Sequence, residues 1–469
     1  MRSASASRPF GLRDKLGYLF GDFGNDFTFL LSTTVLLKFY TDIMGVSAAA
    51  VGVIMMIARF ADAFTDVTMG RICDRSPVTV HGKFRPWLRR MCVPVALSSF
   101  LLYQSSLSGM STGFKLVYLF VVYILWSSVF YTSINIPYGS MASAISADPG
   151  ERQSLSTFRS MGAALAGAVI GVLLPLAAYR KINGRDVLIG SRVTAIAGVF
   201  SLLAVICYLL CYHLTTERVF PGKQSDSENK ASVGAMLAGA VKNRALLSVI
   251  AASVVMLLAQ LTMQSMGGYI YPEYYGNAAA QSVSTAAMLL VMLLAAAIAK
   301  PLSTRFGKAE ISAAANLFSA AVCIFTYFIR PANVWVFVAL QTLNWLGLGI
   351  FTMVSWALIT DVIDYSELKN GVREDGSIYA LYSFARKLGQ AAAAGISGWL
   401  LTLIGYDPGT AAQNTVQSQA VKDGIFSIST LVPALGFALL SIILWFWYPL
   451  HKKQAAANTA ALKQKHSRD

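Results

Sequence analysis

Runs of about twenty apolar, nearly uncharged residues recur along the whole chain, separated by short polar connections. Each run is long enough to cross a hydrocarbon layer about 30 Å thick as a single helix. They fall at approximately 16–42, 47–72, 87–106, 113–145, 156–179 and 192–215, then at 245–272, 281–299, 309–329, 333–363, 377–405 and 423–449. The longest polar stretch, 215–244, separates the two sets and marks a boundary between bundles. The pattern predicts an all-α polytopic membrane protein with 12 transmembrane helices in two six-helix bundles. The N-terminal bundle spans 1–214, a cytoplasmic linker 215–244, the C-terminal bundle 245–450 and a cytoplasmic tail 451–469.

Composition narrows the class. Of the 469 residues, 55% are apolar and 13% charged, about half the charge of an ordinary soluble domain. Soluble enzymes and β-barrels are excluded, and the lipid bilayer becomes an obligatory partner. A formal net charge of +15 raises the possibility of nucleic acid. The basic residues, however, are spread over the connections, with no basic run interleaved with aromatics, so no nucleic-acid partner is expected.

Their placement instead orients the chain. With both termini inside, the cytoplasmic segments hold 25 of the 38 Lys and Arg and the opposite connections hold 7. That asymmetry predicts cytoplasmic termini in a multi-pass protein of the cell membrane, in bacteria the inner membrane. The opening MRSASASRPFGLRDK has no apolar core, so no cleaved signal is expected. Five cysteines (Cys73, Cys92, Cys207, Cys211, Cys323) lack the loop spacing of a disulfide framework or zinc site, and Cys207 and Cys211 read as a packed pair.

The two halves resemble each other. STFRSMGAALAGAVIG at 156–171 parallels YSFARKLGQAAAAGISG at 382–398, with Arg159 against Arg386 and Gly162 against Gly389, both offset by 227 positions. Internal duplication of a six-helix unit is characteristic of secondary carriers.

Charges inside spans need a reason, because each costs at least about 2.5–3.5 kcal/mol at a helix centre. In the second span ARFADAFTD puts Arg59, Asp62 and Asp66 at i, i+3 and i+7 on one face, with Thr65 beside them. Two carboxylates one turn apart repel unless a cation or proton lies between them, which makes the face a candidate cation site. The alternative is a structural Arg59–Asp62 pair with Asp66 near the cytoplasmic edge. The first span carries Asp22 and Asp26; Asp26 is the deeper and could accept hydrogen bonds from sugar hydroxyls, while Asp22 reads as nearer the interface. In the fourth span Tyr131, Asn135 and Tyr138 share a face with Thr132 adjacent, a combination suited to stacking and hydrogen bonding a sugar. Arg159 opens the fifth span and Arg386–Lys387 lie in the eleventh, candidates for pairing with the carboxylates or gripping substrate. Trp345 and Trp356 are possible stacking platforms. The four His (His81, His213, His451, His466) are scattered, and HExxH and a P-loop are absent, so no enzyme activity is expected.

These residues resemble the glycoside–pentoside–hexuronide:cation symporter family of the major facilitator superfamily. The likeness covers essentially 15–450 and rests on KFYTDIMGVS (38–47), RFADAFTDVTMG (59–70), GKFRPW (82–87), NIPYGS (135–140), DVIDYSELK (361–369) and SFARKLGQA (383–391). The resemblance implies that Asp62 and Asp66 are cation-site aspartates and Thr132 a hydroxyl ligand, with Thr65 standing where the family has asparagine. Asp26 and Arg159 match sugar-binding positions of the melibiose-carrier branch, and Lys387 its eleventh-span lysine. Asn135 replaces a sugar-binding aspartate of that branch and Gly139 its stacking tryptophan. NIPYGS and the RKLGQA segment are closer to the glucuronide-carrier branch.

The implied function is symport of a sugar with Na⁺ or H⁺, the sugar being a glycoside, hexuronide or uronate-containing oligosaccharide. The expected cation-binding set is Asp62, Thr65, Asp66 and Thr132, of which Asp62 and Asp66 would be metal ligands if the ion is Na⁺. The expected substrate-binding set is Asp26, Tyr131, Asn135, Tyr138, Arg159, Trp356, Arg386 and Lys387. No cofactor beyond the coupling ion is implied. The alternative is an uncoupled facilitator, or a carrier of another solute such as a lysolipid-like molecule.

Overall fold

The computed structural model describes residues 8–182, 184–219, 243–370, 375–413 and 415–466; most of the 215–244 linker and the last residues of the tail therefore lie outside the described residues. Twelve long helical segments are present among them, in the order the apolar runs predict. In the first half these are α1 (Leu12–Asp42), α2 (Ala48–Arg75), α3 (Arg85–Leu101), a segment made of α4 (Thr112–Ile124), a widened turn (Leu125–Tyr131) and α5 (Thr132–Ile145), then α6 (Pro149–Ala178) and α7 (Gly190–Leu214). Ten of the twelve are long and apolar enough to cross a membrane by length and composition. The other two, α1 and Asp375–Leu403, match them in length but carry charges such as Asp22, Asp26 and Lys38, or Arg386 and Lys387. The long apolar helices make this a multi-pass membrane protein.

Helix starts follow local chemistry. Ser47 accepts from the Ala50 amide at the start of α2, and Asp148 accepts from Glu151 with Pro149 in the first turn of α6. Asn243 and Ser418 do the same for Arg244–Tyr269 and Gln419–Ile442. Several helices run past their apolar runs: α6 begins at Pro149, and Val334–Asn370 and Ala279–Phe306 extend into polar sequence. The C-terminal tail is helical over Lys452–His466.

Two features depart from plain helices. A hairpin, β1 (Tyr179–Ile182) against β2 (Arg185–Leu188), turns through Gly184 at φ +80°. Between α4 and α5 the backbone widens to an i→i+5 turn over Leu125–Tyr131, a local defect often found where side chains must be re-aimed.

The chain forms two compact units. The first comprises the helices up to Leu214 and the segment Leu401–Gln417; the second comprises those from Arg244 to Leu400 and from Ser418 onward. The segment 401–417 thus groups with the first unit although its flanking helices belong to the second. Its Tyr406 hydroxyl donates to Asp42 at 2.7 Å, and Asp42 is also paired with the buried Lys38 at 2.6 Å.

In the first unit α1 packs on both α6 and α7. The approach to α6 is so close that a Cβ at Gly162 would lie 2.4 Å from the Leu19 carbonyl oxygen. Small residues at such crossings let backbones touch where no hydrophobic drive exists between helices in lipid. In the second unit Met256, Leu348, Phe351, Leu358, Phe437 and Leu440 form the core. Exposure is inverted relative to a soluble protein: Phe64, Phe328 and Phe446 are 72%, 76% and 74% exposed, whereas Lys38, Arg59 and Asp62 are buried. Apolar side chains outside and charges inside suit a lipid surround.

Candidate functional site

The second-span charges lie where α2 meets the widened turn. Arg59 pairs with Asp62, Nη1 to Oδ2, at 3.3 Å. Ser127 and Ser128 both donate to Asp62 Oδ1, at 3.0 and 2.6 Å. Consecutive residues of a regular helix diverge by about 100°, so the i→i+5 turn is what brings two adjacent serines onto one carboxylate. One turn further along α2, Asp66 accepts from Thr132 at 2.8 Å. Thr65 donates to the Asp62 backbone carbonyl at 3.2 Å, which leaves its lone pairs available but turns it along its own helix. The guanidinium of Arg59 sits 4.7 Å from the Phe29 ring and 5.8 Å from that of Trp126.

This arrangement contains the Arg59–Asp62 pair that the sequence reading held as its alternative. Arg59 and two hydroxyls stabilise Asp62. Chemically the cluster offers two carboxylates and the hydroxyls of Ser127, Ser128 and Thr132, all hard oxygen donors of the kind alkali cations or protons use. No group of three or more His, Cys, Asp or Glu that could hold a metal ion occurs among the described residues.

A second polar cluster lies on α1, α5, α6 and α7. Arg159 Nε bonds Asp22 Oδ1 at 3.0 Å, and its guanidinium lies 5.4 Å from the Tyr138 ring. Asp22, placed near the interface by the sequence, is buried. It, rather than the α2 carboxylates, is the partner of Arg159. Tyr138 is fully buried; its hydroxyl donates to the Tyr18 carbonyl at 2.6 Å while their rings stack at 4.6 Å. Tyr138, expected as a substrate contact, is thus packed in the α1–α5 contact with Arg159 over its ring. Asp26, one turn beyond Asp22, is half-buried, and so is Tyr131, which stacks on Phe29 at 5.8 Å. Asn135 is half-buried too, and its Oδ1 accepts from the Asn25 amide at 3.3 Å. Asn25 in turn accepts from the Tyr208 hydroxyl at 2.8 Å.

In the second unit Arg386 lies over the rings of Trp356 and Tyr382, at 5.9 and 5.7 Å, and donates to the Tyr382 hydroxyl at 3.5 Å. That hydroxyl also shares a 2.8 Å hydrogen bond with Ser253. Trp356 is 45% exposed and meets Tyr382 edge to face. Lys387, the next residue, is half-buried and points elsewhere on the helix. Trp345 is buried in the core and serves packing.

Sequence reasoning missed Ser127, Ser128, Asn25, Tyr208, Tyr382 and Ser253 as members of these clusters. A signal existed for one of them: Ser128 precedes Thr132 by four residues, so the two share a helical face.

Residues 17–452 match the family described as MFS/sugar transport protein. A Bacillus subtilis (strain 168) protein described as an uncharacterized symporter, YjmB, is 31% identical over 464 residues, covering 99% of this chain and 98% of that protein. The glucuronide carrier protein homolog of Escherichia coli (strain K12) is 31% identical over 449 residues, with 94% and 93% covered. The isoprimeverose transporter of Lactiplantibacillus pentosus is 29% identical over 458 residues, with 97% and 92% covered. Among solved structures, the nucleoside transporter NupG aligns with a TM-score of 0.61 at 14% identity, covering 97% of this chain and 100% of its own, which speaks for the fold.

Proposed function

The chain belongs to the MFS/sugar transport protein family, a family of membrane transporters and not of enzymes, and from that premise we propose that it is a cation-coupled symporter for an anionic sugar. The observation that carries the coupling is the meeting of Asp62 and Asp66 with three hydroxyls at the widened turn. Asp62, Thr65, Asp66 and Thr132, joined by Ser127 and Ser128, are the proposed cation ligands for Na⁺ or H⁺. A cation there neutralises carboxylate charge and lowers the cost of rearranging that face in a low-dielectric surround. The description of YjmB as a symporter supports the reading.

For the sugar, the proposed contacts are Asp26, Tyr131, Asn135 and Arg159 in the first unit, and Trp356, Arg386 and Lys387 in the second. A hexuronide, glucuronide or uronate-containing oligosaccharide fits an amide at 135 better than a carboxylate would, and the likeness to a glucuronide carrier homolog points the same way. A second reading, a neutral glycoside, has its own observation: Arg159 is already ion-paired with Asp22, which lowers its appetite for a substrate carboxylate. The isoprimeverose transporter supports it from the side of the comparisons. The Lys/Arg asymmetry supports cytoplasmic termini in the cell membrane.

A thermal-shift screen of purified protein against uronides and neutral glycosides, with and without Na⁺ and at two pH values, tests the proposal. It expects stabilisation by a uronide that Na⁺ or lower pH enhances. Stabilisation by neutral glycosides alone would select the second reading. Indifference to Na⁺ and pH would favour the uncoupled facilitator.

A further inference from the structure

The hydrogen bonds of Asn25 form a directed chain from Tyr208 to Asn135. Asp22 is buried and ion-paired with Arg159 at 3.0 Å. The Asn25 side chain, three residues on from Asp22, is 1% exposed. Its polarity follows from its two partners, with the carbonyl end toward α7. There the hydroxyl of the fully buried Tyr208 donates to it at 2.8 Å. From the NH₂ end Asn25 also donates to Asn135 at 3.3 Å, and what meets a donor there must be the Asn135 carbonyl oxygen.

An amide whose oxygen is committed has its NH₂ turned the other way. The Asn135 nitrogen makes no hydrogen bond among the described residues, and the residue is half-buried rather than sealed. We propose that Asn25 and Tyr208 are positioning residues that hold the Asn135 amide with its NH₂ outward, so that position 135 presents donors to the carboxylate of an anionic sugar. The proposal rests on the anionic-substrate reading and deepens it. It explains how a residue that could equally offer an acceptor is restricted to donating.

The test compares binding of a glucuronide and of the matching neutral glucoside to purified full-length protein, by competition against one labelled ligand at fixed pH and salt. Asn25→Ala removes the donor that occupies the Asn135 oxygen. Tyr208→Phe removes only a hydroxyl and nearly preserves shape, which keeps the test open should the first variant fold poorly. One hydrogen bond of this kind corresponds to roughly fivefold in affinity. The expected result is an about fivefold loss for the glucuronide in Asn25→Ala and about threefold in Tyr208→Phe, with the neutral glucoside changed less than twofold in both. A merely structural role would weaken the two ligands alike and leave their ratio unmoved. Wild-type protein that binds the glucuronide, with variants that keep the wild-type ratio, would overturn the positioning role alone. Wild-type protein that binds the glucoside and not the glucuronide would overturn the anionic-substrate reading and the proposal with it.

Discussion

At the scale of single residues the account turns on amide against acid and on who neutralises whom. Asn135→Asp puts a carboxylate where an anionic sugar would sit. Two like charges about 4 Å apart at an effective dielectric of 20 repel by roughly 4 kcal/mol, an upper guide for a wet pocket. Even a quarter of that predicts an about fivefold selective loss for uronides, read as the ratio of competition constants for a uronide and its neutral counterpart. Arg159→Gln behaves differently from a simple loss of grip, because it strands the buried Asp22. Breaking one side of such a pair costs up to about 3–5 kcal/mol when both partners are buried, and less here because the Arg159 side chain is 41% exposed. The expected outcome is a lowered Tm for Arg159→Gln, restored in Asp22→Asn/Arg159→Gln without recovery of uronide transport; a double variant as unstable as the single would refute the pairing as the cause. The residue types were legible in the sequence, since charges and amides stand out in apolar runs. Their pairings were not. Nothing local says that Arg159 meets Asp22, 137 positions away, or that the Asn25 side chain lies between Asn135 and Tyr208.

Elements were read more easily than side-chain partners because apolar run length sets a spanning helix almost by itself. The places where that reading fell short have physical causes. The widened turn over Leu125–Tyr131 depends on what packs against it, and the 179–188 hairpin is short and polar enough to pass for a loop. The turn has a testable consequence. If it exists to bring Ser127 and Ser128 onto Asp62, the double variant Ser127→Ala/Ser128→Ala should weaken the cation response of sugar binding several-fold and leave cation-free sugar affinity nearly unchanged. An unaltered cation response would show that the hydroxyls merely satisfy a structural carboxylate. A second consequence concerns the α1–α6 crossing. Gly162→Val forces new side-chain atoms into the Leu19 carbonyl, and overpacking of this kind typically costs about 1–3 kcal/mol. Reduced Tm and reduced transport should follow together; a fully stable, active Gly162→Val protein would contradict the contact.

For the whole molecule, the sequence made the duplication and the dividing linker visible, because a 227-residue offset relates Arg159 to Arg386 and a polar stretch separates the halves. It did not reveal that Leu401–Gln417 groups with the first unit through Tyr406 and Asp42, since such a contact joins residues more than three hundred positions apart. The orientation inferred from basic residues predicts that cysteines introduced at Ser227 and Ser467, in a background lacking the five native thiols, resist impermeant thiol reagents in intact cells and react after permeabilisation. Labelling from outside would reverse the topology. Most direct for the central claim is accumulation in proteoliposomes of labelled glucuronide under an imposed Na⁺ or H⁺ gradient, comparing wild type with Asp66→Asn. The account predicts that wild type concentrates the sugar when one of the two gradients is present, and that Asp66→Asn still exchanges sugar across the membrane without concentrating it. Undiminished accumulation by Asp66→Asn, or a wild type that only equilibrates its sugar under either gradient, would contradict it.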